Sequence, residues 1–317
     1  MAENNTYLAI DLGGTKLLVG EVNSSGEVLR YKRYKSGYID QSTAFSIIKE
    51  SVNDYIITEG WITGKPPVSM GVGLIGRVDN GNGIWLQMDP KRTETIPLAK
   101  ELSETFKIPC YIDNDVKSAT RAEKLWGCGS ASNNYIYLNI GTGIAAGFII
   151  NGNLLRGSHF NAGEVGHTNV GINIGIKCGC GRKNCVELIA SGMGFDHSAR
   201  LLKEQYDTRL HIPEEENERV DVREIYNLYS EGDDLCTQLV ENAAKGVAGL
   251  IMNLVRVSDP DTIILGGGIV SSGFLYSKIL SYLNPTTMRF VKNGVVLTKL
   301  NPDFIGLIGA GAVALNK

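Results

Sequence analysis

The sequence predicts an α/β protein with mixed sheets in two lobes, and two observations carry the prediction. Short apolar runs bounded by Gly, Asn and Asp alternate with longer segments of helical spacing along the chain, the pattern of strands alternating with helices. A module of strand, small polar-glycine turn, strand, second turn and strand then occurs twice, in "YLAIDLGGTKLLVGEVNSSGEVLRYKRY" and in "YIYLNIGTGIAAGFIINGNLLRG". Both copies carry Gly-Thr in the first turn, at Gly14-Thr15 and Gly141-Thr142. Duplication of one α/β unit, giving two lobes with facing glycine turns, accounts for this better than the general likeness of hairpins. The 317 residues suit one large domain or two medium ones.

Each element has its own signal. Residues 7–10 and 17–22 are apolar strands around a tight glycine turn at 11–15, and 23–26 is a second turn before a third strand. Residues 42–57 have helical spacing, "VSMGVGLIG" is a buried strand running into a glycine loop, and "CYIDNDVKSATRAEKLWG" is strand, polar turn and helix. Residues 189–203 read as one helix, and the charged 211–219 as a surface loop. Helices follow at 222–229 and 234–257, the second with Leu239, Ala243, Val247, Leu250, Ile251 and Leu254 on one face. "DTIILGGGIV" is a buried strand ending in three glycines, and "GLIGAGAVAL" closes the chain as a small-residue helix.

Composition excludes some functions. Hydrophobic content of 43% and charged content of 21% are those of a globular protein, and the net charge of −3 argues against a nucleic-acid or anionic-membrane partner. No apolar run is long enough to span a bilayer, and "MAENNTYLAID" lacks the layout of a signal peptide. A cytoplasmic location is therefore expected, where clustered thiols are metal ligands sooner than disulfides.

Four sets of residues could carry chemistry. Asp11-Leu-Gly-Gly-Thr-Lys16 offers backbone amides, a hydroxyl and an ammonium to phosphate oxygens, although neither the Walker nor the GxGxxG spacing is present and a plain hairpin turn competes. Asn139-Ile-Gly-Thr-Gly143 is a second such turn, and Gly266-Gly267-Gly268 a third backbone-exposed site against which an adenine or ribose could lie. Asp113-Asn114-Asp115 ends a strand before a helix; a carboxylate there can act as general base towards a hydroxyl, but from the motif alone a helix cap is the better reading. His167, Cys178, Cys180 and Cys185 form a Cys3His set suited to a closed, structural Zn2+ site, with Gly179 and Gly181 allowing sharp turns. Glu164 and Glu187 flank that set, so a zinc-tied loop would hold two carboxylates rigidly, which suits a ligand rich in hydroxyls, a sugar.

Together these segments resemble the ROK family of sugar kinases and sugar-responsive repressors. The likeness covers nearly the whole chain through "DLGGTK", "DNDVKSATRAE", "NIGTGIAAGFIINGNLLRG", "AGEVGH", "CGCGRKNCVELIASG", "DPDTIILGGG" and "GLIGAGAVAL". It implies an actin-like (hexokinase/ribonuclease H-like) fold with a central cleft. The lobes would comprise 1–117, joined by a C-terminal helix at 304–317, and 118–303 with the zinc loop. It implies ATP and Mg2+ as co-substrates, structural Zn2+ and a homodimer. Carried over by motif, Asp115 is the base; Gly76, Asn114, Glu164, His167 and Glu187 bind the sugar, His167 also ligating zinc. Asp11, Gly13, Gly14, Thr15, Lys16, Gly141, Thr142, Gly143, Gly266, Gly267 and Gly268 bind the nucleotide and its metal. The chain departs from the family pattern at Ile75-Gly76-Arg77, where Pro-Gly is usual, and at Val116-Lys117, where Ala-Asn is usual. "MDPKRTETIPL" replaces an Asn-Leu-x-Trp stretch, and Gly76-Arg77-Val78 is similar to the animal N-acetylmannosamine kinases.

The resemblance implies a hexose kinase acting on O6, of glucokinase type, with N-acetylmannosamine or N-acetylglucosamine as alternative acceptors. A repressor would carry a helix-turn-helix before the first glycine turn, for which residues 1–10 leave no room. A non-catalytic sugar-binding regulator is the other alternative; a zinc-ribbon nucleic-acid module would need a second C-x2-C and basic surroundings.

Overall fold

The computed structural model describes residues 5–14, 16–35, 37, 40–88, 94–215 and 218–316. Thr15, 89–93 of the "MDPKRTETIPL" stretch, and 216–217 of the charged loop lie outside the described residues. In chain order the elements are β1 (Thr6–Leu12), β2 (Lys16–Asn23), β3 (Val28–Lys35), α1 (Gln41–Glu59), β4 (Met70–Leu74), β5 (Arg77–Asp79), β6 (Ile84–Gln87), α2 (Leu98–Phe106), β7 (Cys110–Asn114) and α3 (Asp115–Trp126). Then come β8 (Tyr135–Ile140), β9 (Ile144–Ile150), β10 (Asn153–Leu154), α4 (Glu187–Ala190), α5 (Gly192–Leu202), α6 (Val222–Ser230) and α7 (Asp234–Ser258). The last are β11 (Thr262–Gly266), α8 (Phe274–Ser281), α9 (Pro285–Met288), β12 (Val295–Leu297) and α10 (Ile305–Ala314). Among the described residues no helix is long and apolar enough to cross a membrane.

The chain divides into two compact units. The first comprises Met1–Ala131, Leu154–Ala162 and Lys299–Lys317; the second comprises Ser132–Asn153 and Gly163–Thr298. The division falls after residue 131 where the sequence reading placed it after 117, so α3 belongs to the first unit. Its reason is α10, whose Gly309 lies so close to α3 that a Cβ there would sit 3.0 Å from the Ala119 nitrogen.

Both units are built on one plan. The first sheet has the order β3-β2-β1-β4-β7 and the second β10-β9-β8-β11-β12. In the first, β1 pairs antiparallel with β2 and parallel with β4, and β4 pairs parallel with β7. In the second, β8 pairs antiparallel with β9 and parallel with β11, and β11 parallel with β12. Register agrees as well as order: Asp11 faces Leu18 and Gly73, and Asn139 faces Ala145 and Gly266. The duplication predicted from two glycine turns is thus matched strand for strand.

Each sheet is buried by helices. In the first unit Ile48, Val52 and Tyr55 of α1 and Leu98 and Leu102 of α2 pack with Leu8, Ile10, Val72 and Ile112 of the strands. On the other side Leu307 and Ala310 of α10 pack with Ala9, Leu18 and Val22. Small residues on both partners permit that approach: a Cβ on Gly311 of α10 would come within 2.4 Å of the Val22 side chain, and one on Gly71 of β4 would run into the Ala310 carbonyl. In the second unit α7 supplies the core, its Leu239, Val247, Leu250 and Ile251 all buried with Ile136, Leu138 and Ile263.

The segment 189–203 is a correction. It begins earlier and is two helices, α4 and α5, broken at Ser191. The Ser191 hydroxyl caps α5 by accepting from the Gly194 amide at 2.9 Å. The amides of Gly192 and Met193 donate instead to the carbonyls of Gly141 and Thr142, at 2.8 and 3.2 Å. Apolar periodicity runs through the break, so spacing alone cannot show it.

Candidate active site and metal centre

At the carboxyl end of β7, Asn114 caps α3, accepting from the amides of Val116 and Lys117 at 3.1 Å each. Its amide group donates to the Gly76 carbonyl at 3.0 Å. The cap reading is therefore what the structure shows for Asn114, and it also fixes Gly76. That glycine has φ +82°, and a Cβ would collide with the Gln87 carbonyl, so the backbone there admits no ordinary side chain. Asp115 is the first residue of α3, partly exposed, with Oδ1 accepting from the Val116 amide at 2.9 Å. At the first position of α3 its negative charge is complementary to the helix dipole.

Asp113 has a different task. It is fully buried and takes a two-pronged ion pair from Arg156, at 2.9 Å to Oδ1 and 2.8 Å to Oδ2. Arg121 lies in the same field; burial pulls its pKa down while Asp113 opposes the shift. Arg156 and Arg121 are residues the motif reading missed. The available signal was a lone arginine in the otherwise apolar and glycine-rich "NLLRG".

Asp11, next to last in β1, is pushed up to about 6 by burial, with Lys16 pulling the other way. The turn after it is closed by the Gly13 amide donating to the Lys16 carbonyl at 3.0 Å; a Cβ on Gly14 would meet nothing within 4 Å, so this backbone is open to a ligand.

In the second unit the turn 141–143 is closed by the Gly141 amide donating to the Gly143 carbonyl at 3.0 Å. Glu187 braces it: its carboxylate accepts from the Ile144 amide at 2.9 Å and sits where a Cβ on Gly143 would come within 2.6 Å. Glu187 thus joins a residue expected at the sugar to a turn expected at the phosphates. The three glycines after β11 divide their roles. Gly266 lies against the Tyr137 ring, Gly267 has φ +94° against the Ile140 carbonyl, and only Gly268 opens onto free space. Of the trio, Gly268 has room for a ligand, and the other two make its place.

The Cys3His set does converge. The candidate ligand atoms of His167, Cys178, Cys180 and Cys185 all lie within 4.8 Å of one another. His167 Nδ1 is 3.5 Å from Cys178 Sγ, and Cys180 Sγ is 3.7 Å from Cys185 Sγ. Ligands about 2.3 Å (sulfur) and about 2.0 Å (nitrogen) from a tetrahedral Zn2+ are about 3.5–3.8 Å apart, so the set fits that ion. The turn is made by the Gly181 amide donating to the Cys178 carbonyl at 3.0 Å, with Gly181 at φ +88° and Asn184 at φ +60°. Gly179 does not take a positive φ, so of the two glycines expected to relieve the turn only Gly181 must. Burial pushes the Cys185 thiol up to about 12, an effect a bound cation reverses. Glu164 is exposed, and its carbonyl accepts from the His167 amide at 3.3 Å, at the start of the short turn that carries His167.

The residues expected around a sugar are divided between the units: Gly76, Asn114 and Asp115 belong to the first, and Glu164, His167 and Glu187 to the second.

The duplicated sheet plan is that of the two-lobed, actin-like sugar kinase fold. A model of the ROK family matches residues 7–317, and the chain belongs to the ROK family. It is 25% identical to a glucokinase from Halalkalibacterium halodurans over 96% of this chain and 93% of that one. It is 29% identical to an N-acetylmannosamine kinase from Haemophilus influenzae, with 96% and 93% covered. A xylose repressor from Caldicellulosiruptor bescii is 28% identical over 98% of this chain and 77% of its own. A solved ROK glucokinase from Streptomyces griseus, in complex with glucose and AMPPNP, superimposes with a TM-score of 0.74 at 23% identity, covering 99% of this chain and 100% of that one.

Proposed function

We propose that this chain is an ATP-dependent carbohydrate kinase that transfers the terminal phosphoryl group of ATP to a hydroxyl of a hexose, O6 of a glucose-like acceptor, with N-acetylmannosamine or N-acetylglucosamine as the alternative. The observation that carries the reading is Asp115, a partly exposed carboxylate at the first position of α3, backed by an Asn114 cap that also fixes Gly76. Asp115 takes the proton of the attacking hydroxyl, and the new O–P bond forms as the bond to ADP breaks. Phosphoryl transfer depends on positioning and charge neutralisation, which suits turns offering backbone amides. Asp11 is the carboxylate that would hold Mg2+, which would supply neutralisation of the nucleotide's phosphates. His167, Cys178, Cys180 and Cys185 would hold Zn2+, which would tie down the loop bearing Glu164 and Glu187.

The kinase relatives support this reading, and the N-acetylmannosamine kinase among them keeps N-acylated hexosamines beside glucose. The test is ADP release with ATP and Mg2+ across glucose, mannose, fructose, allose, glucosamine, N-acetylglucosamine and N-acetylmannosamine. A sugar-dependent signal is expected, falling about a thousandfold in kcat in Asp115→Asn. Full turnover in that variant overturns the assigned base. The repressor relative supports a second reading, a sugar-binding regulator; sugar binding by calorimetry without ADP formation would select it.

A further inference from the structure

The segment from Arg156 to Ala162 leaves the second unit's hairpin and belongs to the first unit. It is a closed loop: the Ala162 amide donates to the Arg156 carbonyl at 3.2 Å, and the Phe160 amide to the Gly157 carbonyl at 3.4 Å. Three cations hold it. Arg156 grips Asp113. Arg77 Nε donates to the His159 carbonyl at 3.0 Å, and Lys117 Nζ to the Phe160 carbonyl at 3.3 Å. Phe160 is held at φ +58°, a left-handed conformation that a bulky residue rarely adopts unless its surroundings impose it.

Lys117 is poorly placed for stability. It is only 6% exposed, and it occupies the first turn of α3, where a cation opposes the helix dipole. A buried lysine in that place, two residues after Asp115, is a local conflict of the kind found where function overrides stability. On the kinase reading above, we propose that Lys117 is a positioning residue for the acceptor. Its ammonium holds the Phe160 carbonyl, and so fixes the 156–162 loop against the Asn114–Asp115 end of the first unit. The loop then forms a fixed wall at the base, one that selects the acceptor and leaves phosphoryl transfer itself to Asp115. The residues that follow it in the chain are Gly163 and Glu164.

The test is Lys117→Met, which keeps the apolar stem and removes the ammonium, beside Lys117→Arg as the conservative variant. Hydrogen–deuterium exchange reads the loop without needing turnover: exchange over residues 156–163 should quicken about tenfold in Lys117→Met while α7 is unchanged. Kinetics read the consequence: the acceptor KM should rise about tenfold, with the ATP KM and kcat within about threefold, and Lys117→Arg should recover most of it. Unchanged exchange in the loop overturns the proposal, whatever the kinetics. Faster exchange with an unchanged acceptor KM, or equal rises in both KM values, overturns the selecting role. If the native chain turns over no sugar, the kinase reading fails by itself; exchange still decides the clamp, and sugar affinity by calorimetry replaces KM. Should Lys117→Met lose its melting transition, Lys117→Gln carries the same measurements.

Discussion

The two units share a sheet plan and differ in what stands on it. At the same register position the first unit has Asp11 and the second Asn139, each facing a glycine on the next parallel strand, Gly73 and Gly266. Beyond Gly73 the first unit places Asp113, and one residue past the end of β7 it places Asp115. The second unit has no acid in the corresponding region: Thr298 follows β12, donating its amide to the Leu265 carbonyl at 2.9 Å. One scaffold thus carries an acidic end able to take a proton or hold a cation, and an end rich in backbone amides, of which the Ile144 amide is taken by Glu187. What the fold provides is two equivalent platforms, and the chemistry is decided by single residues at matched positions.

Among the described residues the Cys3His cluster belongs to the second unit and none like it is found in the first, so removing the metal proposed for it is the sharpest way to separate the two. Cys180→Ser, or chelation, should remove one equivalent of zinc by elemental analysis and lower Tm by roughly 5–10 °C. The sugar KM should rise more than the ATP KM. Freshly purified protein free of zinc would end this assignment, and equal effects on both substrates would deny the loop its link to the sugar.

Much of this was legible in the sequence because it is local. The hairpin modules, the Cys-x-Cys spacing and the cap at Asn114 are each defined within a few residues, and each forms as expected. The break at Ser191 was not legible, because it is made by hydrogen bonds to Gly141 and Thr142, some fifty residues away in the chain. The pairing of Arg156 with Asp113 was hidden for the same reason: each stands out locally, but nothing local pairs them, and only the loop's return to the first unit joins them. The triple glycine was legible as a turn at a strand end but not in its parts, since only neighbours show that Gly266 and Gly267 are packed and Gly268 is open.

A second comparison uses the matched glycines. A Cβ on Gly266 would enter the Tyr137 ring, whereas on Gly73 its nearest neighbours, an Asp11 oxygen and the Ile10 carbonyl, would be 3.9 Å away. Gly266→Ala should therefore cost about 1–3 kcal/mol by overpacking, and Gly73→Ala should be near neutral, within about 0.5 kcal/mol. Urea midpoints of the two variants would check this. Equal costs would mean that the two positions match in register but not in packing.

The smallest expected effect comes from making the first unit resemble the second at its matched polar position. Asp11 is raised to about 6 by burial, so its ionised form is disfavoured in the folded chain. Below the ordinary carboxylate value of 3.8 both folded and unfolded chains hold the proton, and the group is neutral with respect to stability. Between 3.8 and about 6 the unfolded chain gives up its proton first, so stability falls as pH rises. Above about 6 the penalty is complete. The full shift would correspond to about 3 kcal/mol, and partial exposure of the side chain reduces this to about 1–2 kcal/mol. Asp11→Asn should then be more stable than the parent at pH 7.5 by that amount, with the advantage vanishing as pH is lowered towards 4. The same variant should lose phosphoryl transfer if Asp11 holds the nucleotide's metal. A gain in stability with a loss of activity is what a burial-strained functional carboxylate predicts. An advantage that persists unchanged at pH 4 would show that the asparagine packs better, and that the charge at this position costs the fold nothing.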